Sequence, residues 1–227
     1  MYMRFSSPDE NALSTRVALM ALLLCCSPLA LAADDVSAQA AGNPDNAASR
    51  YTLSSQPFYL DATGPGVGGT LLPSTRLQVL SPQDSRLQAS LQGWQQEGAE
   101  GVMYAAAGKR IISATLGDAA KRQLRHSDTD AVITAGQKWH EVTLTIWLDK
   151  TALTDRLPAL WQQAGKLYEA NCGGCHSLPA PKNFSANQWP AVMRSMTPRT
   201  SLDKEQIRLL TQYVQKHAGD MSAAAKP

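Results

Sequence analysis

Cys172-Gly173-Gly174-Cys175-His176 decides how the C-terminal third of this chain is read. The spacing C-x-x-C-H is that of covalent c-type haem attachment. Two thiols at this separation add to the two vinyl groups of the porphyrin, and the adjacent imidazole supplies the proximal nitrogen to iron. The pattern occurs once in the 227 residues, so one covalent haem c is expected. A thioredoxin-like redox pair would need a βαβ context, which the flanks do not provide. Half of a zinc site would need a second Cys/His pair at ligand spacing, and none is present.

An electron-transfer haem takes a second axial ligand, most often a methionine sulfur or a histidine nitrogen. Met193, Met196 and Met221 are the nearby thioethers. Met193 and Met196 stand three residues apart, on neighbouring faces of a helix that must stop before Pro198. Met196, at that helix end, is the expected ligand to iron alongside His176, and Met193 is expected to fill core space. His217 is the main contender outside the methionines, but its position suits capping or packing. Trp189 lies between the two halves of the site. Its indole N–H is a candidate donor to a haem propionate, with plain core packing as the alternative reading.

The flanks of the motif are helical in pattern. Leu160, Ala164, Leu167, Tyr168 and Asn171 keep helical spacing into Cys172, with Asp155 as a candidate N-cap. A short helix begins around Asn187-Gln188-Trp189-Pro190. The last begins at Asp203, with Gln206 as capping-box partner and Ile207, Leu210, Val214 and His217 as its buried stripe. Lys216 and His217 suit its negative C-terminal end, and Gly219 terminates it.

Residues 51–150 change period. Leu77 and Val79, then Leu87, Ala89 and Leu91, then Val142, Leu144, Ile146 and Leu148 alternate as strands do. Short alternating strands broken by Gly- and Pro-rich turns suggest a small barrel or sandwich. With the resemblance of this region to small SH3-like barrels, the expected fold class is α+β with two domains, an SH3-like β-barrel over residues 51–150 followed by an all-α monohaem domain over 151–220. Residues 221–227 form a tail. Gly64-Pro65-Gly66-Val67-Gly68-Gly69 lacks the Lys-Ser/Thr and helix of a phosphate loop and reads as a hairpin connection. Trp94, Tyr104, Trp139 and Trp147 are expected in packing rather than in a ligand groove. His126 and His140, among Asp128, Asp130 and Glu141, lack a partner nucleophile and read as surface histidines near acids.

Residues 1–33 read as a secretory leader. Arg4 and Arg16 precede an apolar run over 17–31, and Ala30-Leu31-Ala32 has a small-x-small cleavage pattern. An uncleaved anchor is the alternative. Cleavage removes Cys25 and Cys26 and leaves only the haem pair of cysteines. Residues 34–50 read as a flexible linker. The expected compartment is periplasmic. A net charge of +2 argues against a nucleic-acid partner. Residues 51–150 carry nine basic and nine acidic side chains, whereas 151–227 carry nine and five, a mildly basic half that suits an acidic redox partner.

Gly165-Lys166-Leu167-Tyr168 followed by the haem motif, the Trp189 to Met196 spacing and Leu209-Leu210-Thr211-Gln212-Tyr213 resemble class I cytochromes c. Phe58-Tyr59-Leu60-Asp61, Leu77-Gln78-Val79-Leu80, Gly93-Trp94-Gln95, Trp139, Leu144-Thr145-Ile146-Trp147-Leu148 and Ala186-Asn187-Gln188-Trp189-Pro190 accompany the motif in order. Together they resemble the C-terminal region of the pentahaem c-type cytochromes of trimethylamine N-oxide reductase systems, over about residues 55–220. The resemblance implies an electron-transfer protein rather than an enzyme. Its haem is held by Cys172, Cys175 and His176, and it relays electrons to a periplasmic molybdenum reductase. The tetrahaem part of that family, which takes electrons from quinol, has no counterpart in these 227 residues. A separate multihaem quinol-oxidising cytochrome is therefore the expected donor, and membrane contact is expected only through a partner or an uncleaved leader. A periplasmic haem or redox sensor, whose β domain binds a receptor, is the alternative function.

Overall fold

A computed structural model describes residues 49–82, 86–174 and 177–221, all within one compact unit. A sheet-rich region precedes the helices, a mixed α+β arrangement. The strands are β1 Ser49–Thr52, β2 Gln56–Tyr59, β3 Val67–Leu71, β4 Arg76–Pro82, β5 Leu87–Gln96, β6 Val102–Ala106 and β7 Lys109–Leu116. The short helix α1, Asp118–Gln123, separates these from β8 Arg125–His126, β9 Val132–Thr134, β10 Gln137–Leu148 and β11 Leu153–Thr154. Then come α2 Leu157–Cys172, α3 Trp189–Met196 and α4 Lys204–Lys216.

The strand pairings return on themselves, running β5, β6, β7, β3, β2, β10 and back to β5. The strongest ladder is β5 with β10, antiparallel from Trp139 opposite Gln96 to Leu148 opposite Leu87. Its alternation explains the core. Val142, Leu144, Ile146 and Leu148 meet Phe58, Leu71, Leu77, Leu91 and Met103 in one buried cluster. The Gly-rich stretch joins β2 to β3 as an antiparallel connection. Gly69 is needed there because a Cβ would overlap the Thr115 carbonyl of the neighbouring β7. The β9–β10 turn holds Ala135 and Gly136 at positive φ, 50° and 73°. That is the two-residue geometry whose twist matches the flanking strands.

A second cluster holds the helices together and reaches into the sheet. Leu157, Leu160, Ala164 and Tyr168 of α2 pack with Trp189, Met193, Leu210 and Val214, and Tyr51 of β1 and Ile111 of β7 join them. The capping box at α4 forms as read: Asp203 accepts from Gln206 N at 2.8 Å, and Gln206 accepts from Asp203 N at 3.0 Å.

Three local expectations are corrected. Asp155 does not cap α2; the N-cap is Arg156, and the helix opens on Leu157-Pro158 with no side-chain cap. Proline early in the first turn removes an N–H that would otherwise need a partner. Of the stripe expected on α4, Leu210 and Val214 are buried and Ile207 and His217 half-buried, whereas Leu209, Gln212, Gln215 and Lys216 are buried too. Gly219 serves close approach: a Cβ would overlap the Lys182 carbonyl.

The polar residues of α4 satisfy backbone groups of the sheet region. Gln212 Nε2 donates to Ile112 O at 2.7 Å, and Gln215 Nε2 to Arg110 O at 3.2 Å and Ala186 O at 2.9 Å. Lys216 Nζ donates to Ser74 O at 2.7 Å. Asn187 brackets the start of β7, accepting from Arg110 N at 2.7 Å and donating to Gly108 O at 2.9 Å. Asp220 accepts from Lys109 Nζ at 2.6 Å and from Ala186 N at 2.7 Å. Buried carbonyls left without such donors would each cost about 1–3 kcal/mol.

Candidate functional site

The C-x-x-C-H motif begins on the last residue of α2. That helix delivers Cys172 to the helical core, where it is 8% exposed. Burial pushes the Cys172 thiol up from its ordinary value. A thiol seated at an apolar cluster with the rings of Tyr168 and Trp189 fits the addition of a porphyrin, whose faces need that surrounding. Cys175 and His176, the other two motif residues, lie outside the described residues.

Beyond the motif the chain runs as a proline strap whose carbonyls are held by two buried aromatics. Tyr168 Oη donates to Pro179 O at 2.9 Å, and Trp189 Nε1 donates to Pro181 O at 2.8 Å. The two rings meet edge to face at 6.2 Å, and Phe184 meets Trp189 in the same way at 5.1 Å. Burial, then the neighbouring Cys172 and Tyr213, pushes the Tyr168 hydroxyl up to about 12, so it stays a donor at all physiological pH. Trp189 takes the packing role that stood as one of its two readings. Its N–H is given to Pro181 rather than left for a propionate, and its ring is fully buried. The strap partners of Tyr168 were not read from the sequence. The signal was its place four residues before Cys172 on the buried face, with two prolines shortly after the motif.

The methionines separate by burial. Met193 is 1% exposed within the core, whereas Met196, at the end of α3, is partly buried against the same cluster. Met221 is buried beyond α4. His217 is engaged elsewhere: its Nδ1 faces Tyr213 O at 2.7 Å, and its ring packs against Trp161 at 5.2 Å and Tyr213 at 4.6 Å. Packing is the role its position suggested.

Lys216, expected as a cation at the negative C-terminal end of α4, is instead buried against the sheet region, where it donates to Ser74 O. It is 4% exposed, its Nζ lies 5.8 Å from the Trp161 ring centroid, and burial alone lowers its pKa from 10.5 to about 7. The available signal was the spacing Leu209, Gln212, Lys216, a second face of α4 turned to the sheet. Among the described residues, no cluster of three or more His, Cys, Asp or Glu forms a metal site, and no helix is long and apolar enough to cross a membrane.

A family model described as the TorC third cytochrome c domain matches residues 44–153, the sheet-rich region that ends before the haem motif. The chain is 34% identical over 152 residues to the cytochrome c-type protein TorY of Haemophilus influenzae, covering 67% of this chain and 41% of that protein. It is 33% identical over 191 residues to TorY of Escherichia coli O157:H7, covering 84% and 50%. It is 29% identical over 182 residues to TorC of Escherichia coli K12, covering 80% and 47%. The chain thus spans about half the length of the curated relatives it matches. No solved structure matches. These similarities support kinship with the TorC-type cytochromes.

Proposed function

We propose that this chain is a periplasmic electron-transfer protein, not an enzyme, which relays single electrons through one covalent haem c. Cys172 and Cys175 hold the haem, His176 is the proximal ligand and Met196 the distal one. Bound there, the group supplies reversible one-electron oxidation and reduction. The observation that carries the reading is the seat of Cys172, the first motif residue, buried at the end of α2 in an apolar, aromatic cluster that Met196 also borders. The residues of the chain do the rest. Tyr168 and Trp189 hold the strap that follows His176, and Met193 and Leu210 fill the buried core around them.

We read residues 51–150 as an SH3-like barrel, a reading supported by the closed six-strand circuit. Residues 151–220 form the monohaem domain, and 1–33 an export leader. The resemblance to trimethylamine N-oxide respiratory cytochromes supports a multihaem quinol-oxidising donor and a periplasmic molybdenum reductase for N-oxides or S-oxides as acceptor. Between Glu169 and Asp203 the chain holds no acidic residue, while Lys182, Arg194 and Arg199 are exposed. That basic run suits an acidic acceptor.

Stopped-flow oxidation of the reduced protein by candidate reductases tests the proposal. The second-order rate should fall as salt rises, because the Debye length contracts from about 10 Å at 0.1 M to about 3 Å at 1 M. No oxidation by any cognate reductase would defeat the relay reading. Oxidation without salt dependence would keep the relay and remove the basic surface from it.

A further inference from the structure

The electron relay leaves one pair of metal-ligating side chains unused. His126 closes β8 directly opposite Val142 of β10. His140 stands two residues from Val142, hence on the same face of the sheet. The two imidazole rings are diagonal neighbours across the strands, with centroids 5.6 Å apart and planes at 82°. His126 is exposed and His140 half-buried, so both are open to solvent ions. The backbone beneath them is held firmly. Val142 and Thr143 pair with β8, Ser127 N donates to Glu141 O at 2.9 Å, and β10 is paired along its length with β5.

That separation is close to the one a shared ion requires. Two imidazoles bound side by side to one metal at about 2.0–2.1 Å place their centroids roughly 4.5–5 Å apart, the lower value for the right angle of a tetragonal ion and the upper for a tetrahedral one. Small side-chain rotations of two solvent-facing rings cover the difference, and such rotations are fast. Asp128, Asp130 and Glu141 are exposed on the same stretch of chain, opposed by Arg125 and Lys138, so the surroundings do not repel a dication. No third His, Cys, Asp or Glu completes a cluster with the pair among the described residues. Water would fill the remaining positions, and the ion would be exchangeable.

The geometry points to His126 and His140 as a two-imidazole surface site for a divalent transition metal. Copper(II) should bind tightest, because imidazole nitrogen donors favour it and it heads the affinity order of the first-row dications.

The test uses the full chain, without an affinity tag and in its oxidised form, titrated with copper(II) alone. Electron paramagnetic resonance should report one copper with hyperfine splitting from two imidazole nitrogens. His126→Gln or His140→Gln should leave one nitrogen and weaken binding by roughly tenfold or more, since half of the nitrogen donors are lost. The double variant should lose the signal altogether, and circular dichroism of each variant should report an unchanged fold. A wild-type spectrum with only one coupled nitrogen would overturn the inference. So would a double variant that binds copper with unchanged affinity and spectrum.

Discussion

Replacing Lys216 with methionine should change how stability depends on pH. The ammonium is buried, donates to Ser74 O at 2.7 Å, and among the described residues meets no charged partner that offsets its burial. Its folded pKa of about 7 lies below the ordinary 10.5. Between those values the unfolded chain binds more protons than the folded one, so stability rises with pH across that window. Below about pH 7 both states are protonated and the cost is full. At 1.36 kcal/mol per pH unit, carrying this charge in the fold costs roughly 5 kcal/mol. Methionine has similar length and no charge, but it leaves Ser74 O without this donor, a loss of about 1–3 kcal/mol. Lys216→Met should therefore be more stable than wild type by about 2–4 kcal/mol near pH 6, within the range seen when buried charges are replaced by hydrophobes. Near pH 10 the wild-type lysine is neutral in the fold, and the variant should be equal or slightly less stable. Guanidinium unfolding followed by far-ultraviolet circular dichroism from pH 6 to 10 reads both curves. A difference between wild type and variant that stays constant from pH 7 to 10 would refute the argument.

Three further outcomes follow from the site. Met196→Ala should abolish the sulfur-to-iron charge-transfer band of the ferric protein and lower its potential, while Met193→Ala should keep the band and lose about 2–5 kcal/mol of stability by opening a core cavity; the reverse pattern in the visible spectrum would reassign the ligand. Tyr168→Phe removes the donor to Pro179 O, which should cost about 1–2 kcal/mol and shift the reduction potential, because the strap after His176 loses one of its two anchors. Unchanged melting and potential would show that the hydroxyl does not hold the strap. Gly219→Ala should destabilise by forcing the Lys182 carbonyl away from the chain, measured as a lower thermal midpoint, whereas Gly98→Ala should act only through its positive φ because the space there is open.

Local pattern determined a good part of this protein. The alternation of Val142 to Leu148 placed β10 and its buried face, since successive side chains in a strand point to opposite sides whatever surrounds them. Trp189-Pro190 and Pro198 bounded α3, and Asp203 with Gln206 set the start of α4, because caps and prolines act through backbone groups a few residues away. The haem motif is legible for the same reason: its chemistry depends on five consecutive residues. What spacing does not contain is which elements face each other. Only the tertiary structure turned Gln212, Gln215 and Lys216 toward the sheet region, where they donate to the carbonyls of Ile112, Arg110 and Ser74. Only it gave the Trp189 N–H to Pro181, and set His126 beside His140, fourteen positions apart in the chain. The α4 contacts cross a hundred residues or more, and even over the eight positions from Pro181 to Trp189 a buried polar group is settled by whichever partner the packing brings within hydrogen-bond reach.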